Sequence, residues 1–345
     1  MIAPMLSVLL IPFIAAMFLA INMGGSGTAP SFSAAYGADA VRRELIPGLF
    51  GVFVFAGAIL AGKKVSLTLS GGILPDAIMG RALTTIILVA VALSLLLANL
   101  LRVPQSTSQA TVFALVGPAI YFDILESRKL LLEIVPTWLI LPVVAFGLTF
   151  LLARLLLRFR RSGNGAALWR LGTAPALRYV VVGASCYVAF AIGSNNVANA
   201  AGPLASMVAN ELGARAEGAG FTTILVLATL IIAPCFGIGS SLLGSRVVRT
   251  TGKEIVEFGP VGATLIACVT ATLLLCASVT RGIPTSLVQM NTASIIGFGM
   301  AKVGWRPILT TTPVRRLVSV WIVAPLISLL LALALTAAAH RLGLI

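Results

Sequence analysis

The chain has 345 residues, of which 59% are hydrophobic and only 10% charged, with a mean hydropathy of +1.07. So little charge excludes a water-soluble core of this size and describes a polytopic membrane protein whose main solvent is the lipid bilayer. The formal charge of +14 does not point to nucleic acid, because the basic residues are spread over connections between apolar runs and not massed on one face.

The first apolar run, 2–23, lacks a basic start and is expected to be structural rather than a cleaved signal peptide. It leads into Met23-Gly24-Gly25-Ser26-Gly27-Thr28-Ala29-Pro30-Ser31, a stretch that reads as polar and helix-breaking. Runs over 45–62, 82–101 and 131–153 follow, each near the ~20 residues that cross a bilayer. Between the last two lies a shorter, more polar segment, 104–121, which opens with Val103-Pro104-Gln105-Ser106-Thr107-Ser108-Gln109. Arg154, Arg158, Arg160, Arg161, Arg170 and Arg178 then flank a Gly- and Ser-containing linker near 162–174. Beyond it come apolar runs over 179–194, 220–243, 260–280 and 317–339. A second short segment, 284–301, opens with Ile283-Pro284-Thr285-Ser286-Leu287-Val288-Gln289.

The halves repeat one another. Ile192-Gly193-Ser194-Asn195-Asn196-Val197-Ala198-Asn199-Ala200 answers the stretch at Met23, and the Pro284 motif answers the Pro104 motif. Trp138-x-x-x-Pro142 matches Trp321-x-x-x-Pro325, and Gly57-x-x-x-x-Gly62 with Lys64-Val65 matches Gly239-x-x-x-x-Gly244 with Arg246-Val247. Ordered correspondences along the whole chain mean duplication. The domains are therefore a first transmembrane repeat, 1–157, a basic linker, 158–178, and a second transmembrane repeat, 179–345. The Trp and Pro pairs read as interfacial anchors and kinks, hence scaffold. Cys186, Cys235, Cys268 and Cys276 sit in apolar runs without metal or disulfide spacing and read as packing residues.

The expected fold is all-α and polytopic: two inverted-topology repeats of about five membrane segments each, with broken or re-entrant helices carrying the motifs. An odd number of crossings per half inverts the second repeat. It also puts most of the 24 basic residues on one side, including the linker arginines, Arg42, Arg43, Arg102 and Lys302. The linker is then cytoplasmic and both termini lie outside, in a multi-pass protein of the cell (plasma or inner) membrane. Re-entrant hairpins at the two short segments would instead give four crossings per half and parallel repeats.

Polar side chains inside a span either bridge helices or line a hydrated cavity. Ser106 to Gln109 are consecutive and cannot all face one helix, while Pro104 lacks a donor N–H. Such a stretch suits a helix N-terminus, whose unpaired N–H groups and positive dipole end attract anions. Thr285, Ser286 and Gln289 repeat the arrangement. Two such half-helices meeting near the midplane would form a pocket of hydroxyls and amides suited to a tetrahedral oxyanion.

Gly193-Ser194-Asn195-Asn196-Val197-Ala198-Asn199-Ala200, followed by Gly202-Pro203, resembles the Gly-Ala-Asn-Asp-Val-Ala-Asn-Ala motif of the inorganic phosphate transporter (PiT) family. The proline motifs resemble that family's Pro-Val-Ser-Thr-Thr-His element, and the likeness covers essentially the whole chain. The resemblance implies that anion and coupling cation bind at these elements. It implicates Ser26, Asn195, Asn196 and Asn199 from one, and Ser106, Thr107, Ser108, Gln109, Thr285, Ser286 and Gln289 from the other. The departures are informative. Gly27 and Asn196 stand where the family has Asp, Pro30 stands at an Asn position, and Gln109 and Gln289 replace His. Phosphate at neutral pH has a proton for a carboxylate to accept, whereas sulfate has none and would be repelled. A donor-rich pocket without fixed charge therefore favours sulfate, and the Ser-Gly and Asn-Asn pairs resemble the sulfate permease (CysP-like) branch of the family.

A dianion moving into a negative interior opposes roughly 5 kcal/mol at 100 mV, so concentrative uptake needs a coupling cation. The missing aspartates weaken the case for sodium, and a proton is the favoured partner, with sodium held by neutral oxygens as the alternative. Asp39, Glu44, Asp76, Asp123, Glu126 and Glu133 read as solvated residues at span ends. The expected function is secondary active import of sulfate by cation symport. Phosphate transport by the same fold is the runner-up, and a passive anion channel comes third. No enzyme is expected, since the spans offer no nucleophile-base pair, carboxylate pair or metal cluster. Neither a cofactor nor a structural metal is called for, and a homo-oligomer is compatible with the pattern.

Overall fold

The computed structural model describes residues 2–101, 105–161, 175–214, 218–244, 259–305 and 312–345, and the described residues form helices without any strand. The first half contains α1 (Ile2–Gly37), α2 (Ile46–Ala61), α3 (Lys63–Gly71), α4 (Arg81–Leu100), α5 (Thr107–Tyr121) and α6 (Val135–Arg161). The second contains α7 (Pro175–Asn196), α8 (Ala198–Glu211), α9 (Ala219–Gly239), α10 (Gly259–Cys276), α11 (Leu287–Val303) and α12 (Thr312–Arg341). Eight described helical segments are long and apolar enough to cross a membrane, four on either side of the linker, and they coincide with the eight long apolar runs. The linker core, 162–174, lies outside the described residues; Arg154, Arg158 and Arg161 prolong α6, and Arg178 belongs to α7.

The two remaining segments, α5 and α11, have 15 and 17 residues. At 1.5 Å per residue they reach only about 22–26 Å, short of the ~30 Å hydrocarbon core. With them, each repeat comprises five segments.

Packing crosses between repeats. α2 lies on α7 and α1 on α9, while α5 packs on α12 and α11 on α6. The duplicated glycines explain how these backbones come so close. A Cβ on Gly57 would strike the Phe190 carbonyl of α7, and one on Gly193 would strike the Val54 carbonyl of α2. The counterpart crossing is built alike, with Gly24 against the Phe236 carbonyl and Gly239 against the Ile21 carbonyl. Small residues allow van der Waals contact to hold helices together where lipid offers no hydrophobic drive. The third such pair is Gly117, against the Leu329 carbonyl, and Gly297, against the Phe146 carbonyl.

The polarity of the molecule is that of a membrane protein. Leu139, Val143 and Leu151 on α6 are exposed, whereas Ser106, Ser108, Asn195 and Asn199 are buried. One element differs from expectation. The Met23–Ser31 stretch does not interrupt its helix, because α1 runs unbroken to Gly37. Thr28 and Ser31 satisfy their hydroxyls within the helix, on the Gly24 and Gly27 carbonyls, and the glycines serve close packing. Its counterpart in the second repeat is interrupted for one residue, Val197 between α7 and α8, whose backbone stays in the helical region.

Candidate functional site

The N-termini of α5 and α11 are built alike and face one another. Ser106 and Ser286 are the N-caps, both extended, and their hydroxyls accept from the backbone N–H of Gln109 and Gln289 at 3.3 and 3.2 Å. The two glutamine side chains then pair reciprocally. Gln109 Nε2 donates to Gln289 Oε1 at 3.2 Å, and Gln289 Nε2 donates to Gln109 Oε1 at 3.1 Å. This amide ring joins the repeats across a local two-fold relation. It also puts two positive helix ends beside each other, with the first-turn amides of Thr107, Ser108, Leu287 and Val288 lacking intrahelical acceptors.

Asn195, fully buried at the end of α7, ties the two motifs together. Its Oδ1 accepts from the Ser108 hydroxyl and from the Thr285 N–H, each at 3.1 Å. Its Nδ2 donates to Ser278 Oγ at 2.8 Å and to the Ile283 carbonyl at 3.1 Å. Every hydrogen-bonding position of this amide is in use. Asn199, one turn on, donates to Ser108 Oγ at 3.4 Å and touches the sulfur of Met23 on α1.

Seven of the eleven sequence candidates bond through their side chains here, in two adjoining groups that form one buried network, Ser106, Gln109, Ser286 and Gln289 in one and Ser108, Asn195 and Asn199 in the other, and Thr285 joins through its backbone N–H. Thr107 and Asn196 are buried beside it but send no side-chain hydrogen bond into it. Ser26 is not drawn in; half-buried on α1, it donates to the Met23 carbonyl. Three oxygens at the site lack partners, namely Asn196 Oδ1, Asn199 Oδ1 and Thr285 Oγ1. Buried oxygens without a protein partner are open to water, a ligand donor or a cation. No ionisable side chain belongs to the network, and no cluster of His, Cys, Asp or Glu among the described residues could hold a metal ion. The arrangement can bind an anion through dipoles and neutral donors, and can offer a hard cation neutral oxygens.

Some participants escaped sequence reasoning. Trp138, read as an interfacial anchor, is buried and donates its indole N–H to the Pro284 carbonyl at 2.8 Å. Its duplication with Trp321 was the available signal. Ser278 and the Ile283 carbonyl carried no signal, since nothing local distinguishes a hydroxyl or carbonyl that Asn195 will reach.

Residues 23–176 and 169–332 each match the phosphate transporter family model, one copy per repeat. The chain belongs to the phosphate transporter family. Among its relatives in the family, sulfate permease CysP of Bacillus subtilis is 36% identical over 314 residues, covering 91% of this chain and 83% of that one. Inorganic phosphate transporter 2-1, chloroplastic, of Arabidopsis thaliana is 34% identical over 148 residues, 42% of this chain and 24% of the relative. The fold matches that of a solved sodium-dependent phosphate transporter with a TM-score of 0.83 at 20% identity, over 97% of this chain and 99% of that one. The family fold is therefore present in full, and the site just described lies within it.

Proposed function

We propose that this protein is a secondary active transporter that imports sulfate, bound at the N-termini of α5 and α11 and beside Asn195. The observation that carries the reading is the pair of capped helix N-termini joined by Gln109 and Gln289, with no carboxylate in the network. A fully deprotonated oxyanion needs donors alone, and these helix ends provide them. The likeness to a sulfate permease over most of the chain supports the same choice. Uptake releases the substrate on the side of the basic linker, with the termini outside.

Sequence favours a proton as the coupling ion. A second reading has its own observation: Asn196 Oδ1 and Asn199 Oδ1 are buried without donors, and neutral oxygens of this kind suit sodium. Asn195 links substrate to conformation in either case, because an anion taking the Ser108 hydroxyl or the Thr285 N–H displaces its Oδ1.

Uptake of labelled sulfate into proteoliposomes, with pH and sodium gradients imposed separately and excess phosphate as competitor, tests the proposal. Sulfate uptake that resists phosphate supports it, and the gradient that drives uptake names the cation. Uptake abolished by phosphate returns the protein to phosphate transport. Uptake indifferent to both gradients leaves a passive channel.

A further inference from the structure

A basic rim stands over the turn that leads into α11. After α10 a short π-turn, Ala277–Arg281, ends at Gly282, which has a φ of +63°. The backbone of Lys64 presses on this glycine so closely that a Cβ there would lie 2.6 Å from the Lys64 carbonyl oxygen. The next residue, Ile283, gives its carbonyl to Asn195, and Ser286 caps α11 three residues later. Lys64 Nζ reaches across to the Thr280 carbonyl at 3.3 Å. Lys63, Lys64 and Arg281 are exposed, while Ile283, Pro284 and Thr285 are buried. The cations therefore flank the turn from which the chain passes into the buried network.

No described side chain neutralises them. The ion pair among the described residues is Arg81 with Glu211, and no described carboxylate lies within ion-pair distance of Lys63, Lys64 or Arg281. Asp76, the acid nearest along the chain to α3, accepts from Ser206 instead. Three exposed like charges on two adjoining elements, with no described acid paired to them, raise the local potential and favour a mobile anion there. Capping the carbonyls at the end of the π-turn accounts for one bond of one lysine; it leaves Lys63 and Arg281 unexplained.

We infer that Lys63, Lys64 and Arg281 form an outer receiving site for the divalent oxyanion, which concentrates substrate at the mouth and hands it to the α11 N-terminus. In the proposed topology this mouth faces outside, the intake side. The inference rests on the oxyanion-transport reading. A receiving site acts on encounter and not on the conformational cycle, so it sets KM and its salt dependence while leaving maximal velocity alone.

The test is labelled sulfate uptake by the full chain in proteoliposomes, with KM and Vmax measured from low to high concentrations of an inert monovalent salt. Lys64→Gln, Lys63→Gln and Arg281→Gln should each raise KM about three- to tenfold at low salt, flatten its salt dependence and preserve Vmax. Lys64→Arg should restore wild-type values. Arg281→Gln leaves the Lys64 bond untouched and keeps the test open if Lys64→Gln folds poorly. Unchanged KM and salt dependence in Lys63→Gln and Arg281→Gln overturn the inference, as does a fall in Vmax or thermal stability with KM constant, which marks helix capping alone. Wild-type protein that carries neither sulfate nor phosphate overturns the transport reading first, and this one with it.

Discussion

Ser286 and Ser106 each cap a helix through a hydroxyl oxygen. The hydroxyl oxygen accepts from Gln289 or Gln109 N–H, and its proton remains available for a bound anion. The roles separate by substitution. Ser286→Ala should lose the cap, about 1 kcal/mol of stability, and a donor to a charged ligand, about 1–3 kcal/mol of affinity. Ser286→Gly costs the cap only a few tenths of a kcal/mol and has no side-chain donor. If the affinity loss persists in the glycine variant while its melting temperature largely recovers, the hydroxyl donates to substrate; recovery of both would reduce Ser286 to a cap. Asn196 tests the charge argument. Asn196→Asp introduces the acid of the Gly-Ala-Asn-Asp-Val-Ala-Asn-Ala motif that this stretch resembles and should lower sulfate uptake at least tenfold, since one charge beside a dianion in a buried site outweighs about 1.4 kcal/mol. Enhanced sulfate uptake in that variant would reverse the sign of the argument.

At the scale of helices, the two seams between motif helix and closing helix are not equivalent. In the α6–α11 seam, Gly297 stands 2.6 Å, Cβ to oxygen, from the Phe146 carbonyl, and Trp138 holds the Pro284 carbonyl. In the α5–α12 seam, the matching Gly117 has 3.0 Å, and Trp321 Nε1 has no partner among the described residues. The tighter seam tolerates less. Gly297→Ala should destabilise the protein by about 1–3 kcal/mol through overpacking, and Gly117→Ala by less, read as melting temperatures of purified protein in detergent. Equal losses would mean that both seams relax alike. The Trp-x-x-x-Pro pair was visible in sequence as a repeat, but its contact with the opposite motif was not, because a repeat locates partners within a half while this bond runs between halves.

At the scale of the molecule, each half completes the other. α5 covers α12, α11 covers α6, and the Gln109–Gln289 ring needs one residue from each repeat. Residues 1–161 expressed alone leave the partner faces of α2, α5 and α6 bare and should aggregate on size-exclusion chromatography, whereas co-expression with 175–345 should recover a monodisperse species and sulfate uptake. A stable, monodisperse first half would show that the crossed packing is not needed for folding.

Sequence by itself determined the solvent, the duplication and the residues of the two proline motifs, because hydropathy, period and N-cap chemistry are local properties that each segment carries alone. Ser106, Gln109, Ser286 and Gln289 were legible for that reason. Only the tertiary structure decided that Asn195 is saturated rather than free, that Ser26 stays apart, that α1 runs through its motif, and that Lys64 overlies the α11 approach. Each of these depends on which helix lies across which. That is set by backbone approach at glycines and by hydrogen bonds between segments far apart in the chain, and no single segment contains that information.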